Sequence, residues 1–207
     1  MSKPGSSSRS WLSRQERDPY VQQARRDGWR SRAVYKLEQI EQKERLLKTN
    51  MLCVDLGAAP GSWSQYVTEK LKGKVRIIAV DLLPMDSLPS VEFLQGDFSE
   101  ETVLAEIREA IGDSRVDLVM SDMAPNISGN RAVDQPRSMY LAELALDLCG
   151  QVLAPGGDFV CKLFQGEGID AYIRMARAAF KRVKVIKPKA SRAGSREVYL
   201  VARNYQL

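Results

Sequence analysis

The sequence contains no histidine among its 207 residues. Imidazole general bases and most zinc sites are thereby excluded, because both rest on a ring nitrogen that titrates near neutrality or ligates a metal. Proton transfer in this chain has to use Lys, Asp, Glu or Tyr. Cysteine is scarce: Cys53, Cys149 and Cys161 are odd in number, lie among apolar neighbours and have no C-x-x-C spacing. They read as buried reduced thiols rather than a disulfide framework or a metal site. No apolar run approaches the roughly 20 residues that a membrane span needs, and Met1 to Ser10 is too polar to resemble a secretory signal. A soluble, cytoplasmic protein with no membrane and no metal partner is the expectation.

What is present suits a single α/β domain. The hydrophobic fraction of 44% is ordinary for a globular chain. The net charge of +5 is unevenly placed, since residues 1 to 32 carry eight Lys/Arg against three Asp/Glu while the rest balances. Within that rest, Ala171 to Arg196 holds nine basic residues and no acidic one. Two basic segments of this kind suit a polyanion such as RNA, although solvated basic faces give the same counts.

Ser2 to Arg17, rich in Ser, Arg, Gly and Pro, reads as a flexible tail. Arg32 to Arg45 places Val34, Leu37 and Ile40 three apart with charges between, which predicts an amphipathic helix carrying Lys36. Seven short apolar runs follow: Met51 to Leu56, Val75 to Val80, Val91 to Gln95, Val116 to Ser121, Phe159 to Phe164, Val183 to Ile186 and Val198 to Ala202. Helical patterns at Trp63 to Leu71, Glu100 to Ile111, Arg137 to Leu153 and Ile169 to Phe180 alternate with them, which predicts a doubly wound sheet. Pro155-Gly156-Gly157 is expected to separate the third of these helices from the strand after it.

Asp55-Leu56-Gly57-Ala58-Ala59-Pro60-Gly61 follows the first strand and opens a helix, the place where α/β folds bind nucleotides. Pro60 is expected at the first helical position. The second glycine of a dinucleotide fingerprint is replaced by alanine. Asp81 ends the next strand, where a carboxylate accepts from ribose hydroxyls, a feature that fits NAD equally well. Asp97 after the third strand is suited to an adenine amino group, and the progression favours S-adenosylmethionine. Asp122 ends the fourth strand, Lys162 interrupts the apolar fifth strand and Glu197 begins the last. A lysine in such a strand is costly unless paired, so these groups are expected to converge, with Lys36 reaching in. Each taken alone is equally well a structural ion pair.

Ser31-Arg32-Ala33, Asp55 to Gln65, Asp81-Leu82-Leu83-Pro84-Met85, Gln95-Gly96-Asp97-Phe98, Ser121 to Asn126, Phe164 to Gly168 and Ser191 to Tyr199 together resemble the RlmE (FtsJ/RrmJ) family of ribosomal RNA methyltransferases. The resemblance spans nearly the whole chain. It implies a Rossmann-like S-adenosylmethionine-dependent methyltransferase fold: a seven-stranded, mostly parallel sheet with helices on both faces. The implied domains are a flexible basic segment, 1 to 30, and a single methyltransferase domain, 31 to 207. It implies a tetrad of Lys36, Asp122, Lys162 and Glu197 with Lys162 as proton acceptor, and cofactor contacts at Gly61, Trp63, Asp81, Asp97 and Asp122. Ser62 stands where some members have glycine. The implied substrate is the 2′-hydroxyl of a uridine in the A-loop of 23S ribosomal RNA within the large (50S) subunit. A transfer-RNA or cap 2′-O-methyltransferase, an RNA-binding ribosome-assembly factor and an NAD-dependent oxidoreductase are the rival readings.

Overall fold

The structure, a computed structural model, describes residues 17–206. In chain order its elements are α1 (Pro19–Asp27), α2 (Val34–Glu44), β1 (Met51–Leu56), α3 (Ser62–Lys70), β2 (Val75–Asp81), β3 (Val91–Gln95), α4 (Glu101–Ile111), β4 (Val116–Ser121), α5 (Arg131–Val152), β5 (Leu153–Phe164), α6 (Ile169–Ala179), β6 (Phe180–Ile186) and β7 (Glu197–Tyr205). The strands form one sheet in the order β3-β2-β1-β4-β5-β7-β6. β7 runs antiparallel to both its neighbours and every other pairing is parallel. This is the doubly wound α/β architecture expected from the alternation, and no helix among the described residues is long and apolar enough to cross a membrane.

The core divides by the sheet's two faces, because side chains alternate along a strand. Val54 and Leu56 of β1 face a layer containing Val103 and Ile107 of α4, Ala145 and Leu148 of α5 and Tyr172 of α6. Cys53 of the same strand faces Leu37 and Ile40 of α2, Trp63 and Val67 of α3 and Ala24 of α1. Burying each Leu- or Ile-sized side chain contributes about 1.5–3 kcal/mol, so both layers are needed to hold the strands in place. The three cysteines are buried and free.

Three local expectations are corrected. Residues 1–16 lie outside the described residues, but the segment from 17 to 30 is not tail: Pro19–Asp27 is a helix. Asp18 caps it by accepting from Tyr20 N at 3.0 Å, Pro19 sits in its first turn, and Gly28 at φ +78° ends it. Ala24 is buried and the Tyr20 ring packs 5.4 Å from that of Tyr35. The folded unit therefore begins before residue 31. Helix α5 starts at Arg131 rather than Arg137, since Asn130 caps it by accepting from Ala132 N at 3.1 Å and Pro136 is carried inside it. Pro155-Gly156-Gly157 does not end a helix. β5 begins at Leu153, and the pairs Val116↔Leu153 and Leu118↔Asp158 place these residues in a bulge, which Gly156 turns at φ +83°.

Candidate active site

Strand order reverses between β1 and β4: the chain runs outward through β2 and β3, then returns to β4 and β5. A crevice opens at the carboxyl ends of the strands at such a switch point. Here it is a cavity of about 370 Å³ whose wall includes Gly57, Asp81, Leu83, Asp97, Phe98 and Asp122. Gly57 has φ +73°, and a Cβ on it would stand 2.8 Å from Met123 Cγ. Only glycine lets the backbone turn there without displacing β4's exit loop.

Asp81 is oriented by its own backbone surroundings. Its Oδ2 accepts from Ala59 N at 2.9 Å and its Oδ1 from Leu83 N at 2.8 Å, which leaves one lone pair on each oxygen for a ligand's hydroxyls. Asp97 Oδ1 accepts from Ser99 N and Ser99 Oγ at 2.9 and 2.6 Å, and these hydrogen bonds hold its carboxyl below the ordinary aspartate range. Oδ2 remains for a donor. The carboxylates of Asp81 and Asp97, on a wall whose apolar part includes Leu82, Leu83, Phe98 and Met123, suit a nucleoside, with hydroxyls and an amino group at the acids and a flat base against the apolar side chains.

Gly61 and Trp63 do not form part of that wall. Gly61, at φ +100°, caps the start of α3, and Pro60 precedes the cap rather than opening the helix. The Trp63 side chain is 2% exposed, donates from Nε1 to Ala33 O at 2.9 Å and packs 5.8 Å from the Tyr199 ring. The Gly61 main chain is engaged as well, its N–H donating to Ala58 O at 2.6 Å and its carbonyl accepting from Gln65 N at 2.8 Å. The Ser62 hydroxyl is engaged with that of Ser31 at 2.6 Å.

Beside the cavity the structure brings the four predicted charged groups together. Lys162 Nζ lies 2.9 Å from Asp122 Oδ1, 2.6 Å from the Asp122 carbonyl oxygen and 3.9 Å from Glu197 Oε2. Lys36 Nζ is 2.9 Å from the same Glu197 oxygen. Sheet register explains the convergence. Lys162 is opposite Tyr199 and Phe164 is opposite Glu197, so antiparallel β7 starts at the edge where β5 ends. Burial pushes the Asp122 carboxyl up, but the Lys162 and Lys36 charges and the hydrogen bonds from Tyr199 and Lys162 outweigh it and hold it below the ordinary range.

Residues 29–205 match the model of the FtsJ-like methyltransferase family. The chain belongs to that family. The FtsJ-like chain therefore draws its methyl group from S-adenosylmethionine, in keeping with the nucleoside-shaped cavity. A ribosomal RNA methyltransferase of Plasmodium falciparum is similar at 32% identity over 86% of this chain and 98% of that one, with a TM-score of 0.77. Human methyltransferase-like protein 13, solved with SAH, is 18% identical over 83% of this chain and 80% of its own, at TM-score 0.56. The fibrillarin/Nop5p complex gives 17% identity over 85% of each chain, at 0.60. These last two likenesses concern the fold alone.

Two members of the FtsJ-like site are missing from the sequence reading. Tyr199 donates its hydroxyl to Asp122 Oδ1 at 2.6 Å, and Ser191 donates to Glu197 Oε1 at 2.8 Å. The spacing Glu197-x-Tyr199 is the available signal: on a strand it places both side chains on one face. Arg192, from the same loop, reaches Asp18 at 3.5 Å, and with Arg32, Lys36 and Glu197 it lines a second pocket of about 220 Å³ on the tetrad's flank.

Proposed function

We propose that this protein methylates the ribose 2′-hydroxyl of a uridine in the A-loop of 23S ribosomal RNA, acting in the cytoplasm on the large ribosomal subunit. One observation carries the reading: Lys36, Asp122, Lys162 and Glu197 converge beside the cofactor cavity, and Asp122 is shared with its wall. The Plasmodium falciparum relative supports RNA as the substrate class.

S-adenosylmethionine supplies a methyl group already activated by its sulfonium. The residues of the chain then align and deprotonate. Asp81 would accept from the cofactor's ribose hydroxyls and Asp97 from its adenine amino group, while Gly61 and Trp63, behind the wall, would support the loop that carries Gly57 and Ala59. Lys162, entering the step as the neutral amine, would take the proton of the attacking 2′-hydroxyl. The ammonium so formed would donate to Asp122 Oδ1 and Asp122 O, with Glu197 Oε2 at 3.9 Å as a further negative charge. Lys36 neutralises Glu197, and Tyr199 fixes the carboxylate that fixes Lys162. Alignment of oxygen, carbon and sulfur dominates a displacement in which charge disappears.

Asp81→Ala and Asp97→Ala are each expected to weaken binding of S-adenosylmethionine by on the order of 1–3 kcal/mol, because each leaves a ligand donor unpaired. Calorimetry with the cofactor checks this, and unchanged affinity in both variants moves the nucleoside elsewhere.

The RNA surface proposed for residues 1–30 and 171–196 is less uniform than its charge count. Arg182 and Lys184 are taken by Glu44 at 3.0 and 2.7 Å, at the opposite end of α2 from Lys36. Lys187, Lys189 and Arg192 lie in the exposed loop leading to Ser195 and Glu197, beside the tetrad. Neutralising these three should flatten the log–log salt dependence of RNA binding by about 2, at ~0.7 per phosphate contact. Cofactor affinity should not change. An identical slope makes these charges mere solvating groups. Mapping 2′-O-methylation in RNA from a deletion strain tests the whole reading: loss at a 23S A-loop uridine supports it, and loss confined to transfer RNA replaces it.

A further inference from the structure

The connection between α1 and α2 is a strap laid over the start of α3. Gln65 holds it twice, accepting from Arg30 N at 3.1 Å and donating to Gly28 O at 3.1 Å. The Ser31–Ser62 hydroxyl pair and the Trp63 bond to Ala33 O continue the seam. Two arginines leave this strap in different directions. Arg32 pairs with Asp18 and donates to Ala190 O, on the side of the second pocket.

Arg30 turns to the cofactor side. Its Nη1 donates to Pro60 O at 3.0 Å and to Asp86 O at 2.8 Å, and its Nη2 to Ser87 O at 2.9 Å. Pro60 belongs to the loop from β1 to α3, and Asp86 and Ser87 to the loop from β2 to β3. These loops also supply Gly57, Ala59, Asp81, Leu82 and Leu83 to the cavity wall. One planar guanidinium thus ties together two main-chain segments that no strand pairing joins. Gly61 lies beneath the tie: a Cβ there would meet Met85 Sδ at 2.8 Å and Arg30 Nη1 at 2.9 Å.

We propose that Arg30 is a positioning residue for the cofactor, holding the β1–α3 and β2–β3 loops at the separation in which Asp81, Gly57 and Ala59 fit one ligand. The inference rests on the cavity's being the S-adenosylmethionine site. It makes the strap, and through it the arginine-lined pocket, part of the scaffold of cofactor binding. Arg30 acts on the main chain rather than on the reacting atoms, so its loss shows in affinity for the cofactor and not in the methyl-transfer step.

The test uses the full chain as wild type, Arg30→Met and Arg30→Lys, with S-adenosylhomocysteine as calorimetric probe. Arg30→Met should bind it on the order of tenfold more weakly and show a similar rise in KM for S-adenosylmethionine. Its kcat at saturating cofactor should stay near wild type. Arg30→Lys should recover only part of the loss, because one ammonium cannot span acceptors that two guanidinium nitrogens bridge. Wild-type affinity for S-adenosylhomocysteine in Arg30→Met overturns the proposal. So does a loss of urea stability that parallels the loss of affinity, which marks a general structural role. If wild type itself fails to bind the probe, the assignment of the cavity is wrong and the inference falls with it.

Discussion

Lys162→Ala should lower single-turnover methylation of large subunits by at least about a hundredfold, the smaller end of what a positioned proton acceptor contributes. Binding of S-adenosylhomocysteine should stay close to wild type, because Lys162 is not among the residues that line the cavity. The fold should also survive. Removing one partner of a buried ion pair is costly when it strands a charge, but here neither carboxylate is left alone. Asp122 keeps the Tyr199 hydroxyl at 2.6 Å, and Glu197 keeps Lys36 at 2.9 Å and Ser191 at 2.8 Å. Lys162→Arg separates acceptance of the proton from mere orientation. Guanidinium preserves charge and donors but does not release a proton at accessible pH, so the proposed role demands an inactive enzyme. Partial activity in the arginine variant would reassign Lys162 as an orienting cation. Wild-type rates in the alanine variant would remove the catalytic assignment of Lys162 and place the proton acceptor elsewhere in the site.

The contrast between Lys162 and Tyr199 shows why part of this site is legible in the sequence and part is not. A lysine within Phe159 to Phe164 violates the composition of a buried strand, so the residue type alone announces a partner. A tyrosine within Val198 to Ala202 obeys that composition and passes for core. The pairing Lys162↔Tyr199 that gives its hydroxyl a role depends on the antiparallel register of β7 against β5, which no local pattern encodes. The central parallel strands are legible for a related reason: the apolar runs of β1 and β4 are buried on both faces, and these two strands and β3 have the bounds expected of them. Helix α1 escapes a periodicity reading because it buries one residue, Ala24, and so has no apolar stripe. Its Asp18-Pro19 start and Gly28 stop are present as the weaker capping signal. The bulge in β5 is ambiguous in sequence because Pro-Gly-Gly marks a break in regular backbone without saying whether a helix ends or a strand is interrupted. Arg30 carries no signal at all, since its three acceptors are main-chain oxygens of loops far away in sequence.

Asp55→Asn should make stability less dependent on pH, with the variant gaining on wild type by on the order of 3 kcal/mol between pH 5 and pH 8. Asp55 is the penultimate residue of β1 and is 1% exposed. Its Oδ2 accepts from Ser64 Oγ at 2.7 Å, whereas its Oδ1 is buried with no hydrogen-bond partner. Burial pushes its carboxyl up, the Ser64 hydrogen bonds offset part of this, and the charges of Asp122 and Asp81 add to the rise, which brings it to about 7. An acid raised in the folded state contributes its full stability only below the unfolded pKa of about 3.9. As pH climbs from there the unfolded chain sheds the proton and the folded chain does not, so stability falls until the folded group titrates near 7. Asparagine has no such titration. Its amide presents an unpaired donor or acceptor where Oδ1 now stands, at a cost of about 1–3 kcal/mol that is the same at both pH values and cancels from the comparison. Urea denaturation of both proteins at pH 5 and pH 8 measures the difference of differences. Curves offset by one constant amount at the two pH values would mean that Asp55 is ionised in the fold throughout this range, and that Oδ1 has a partner in solution.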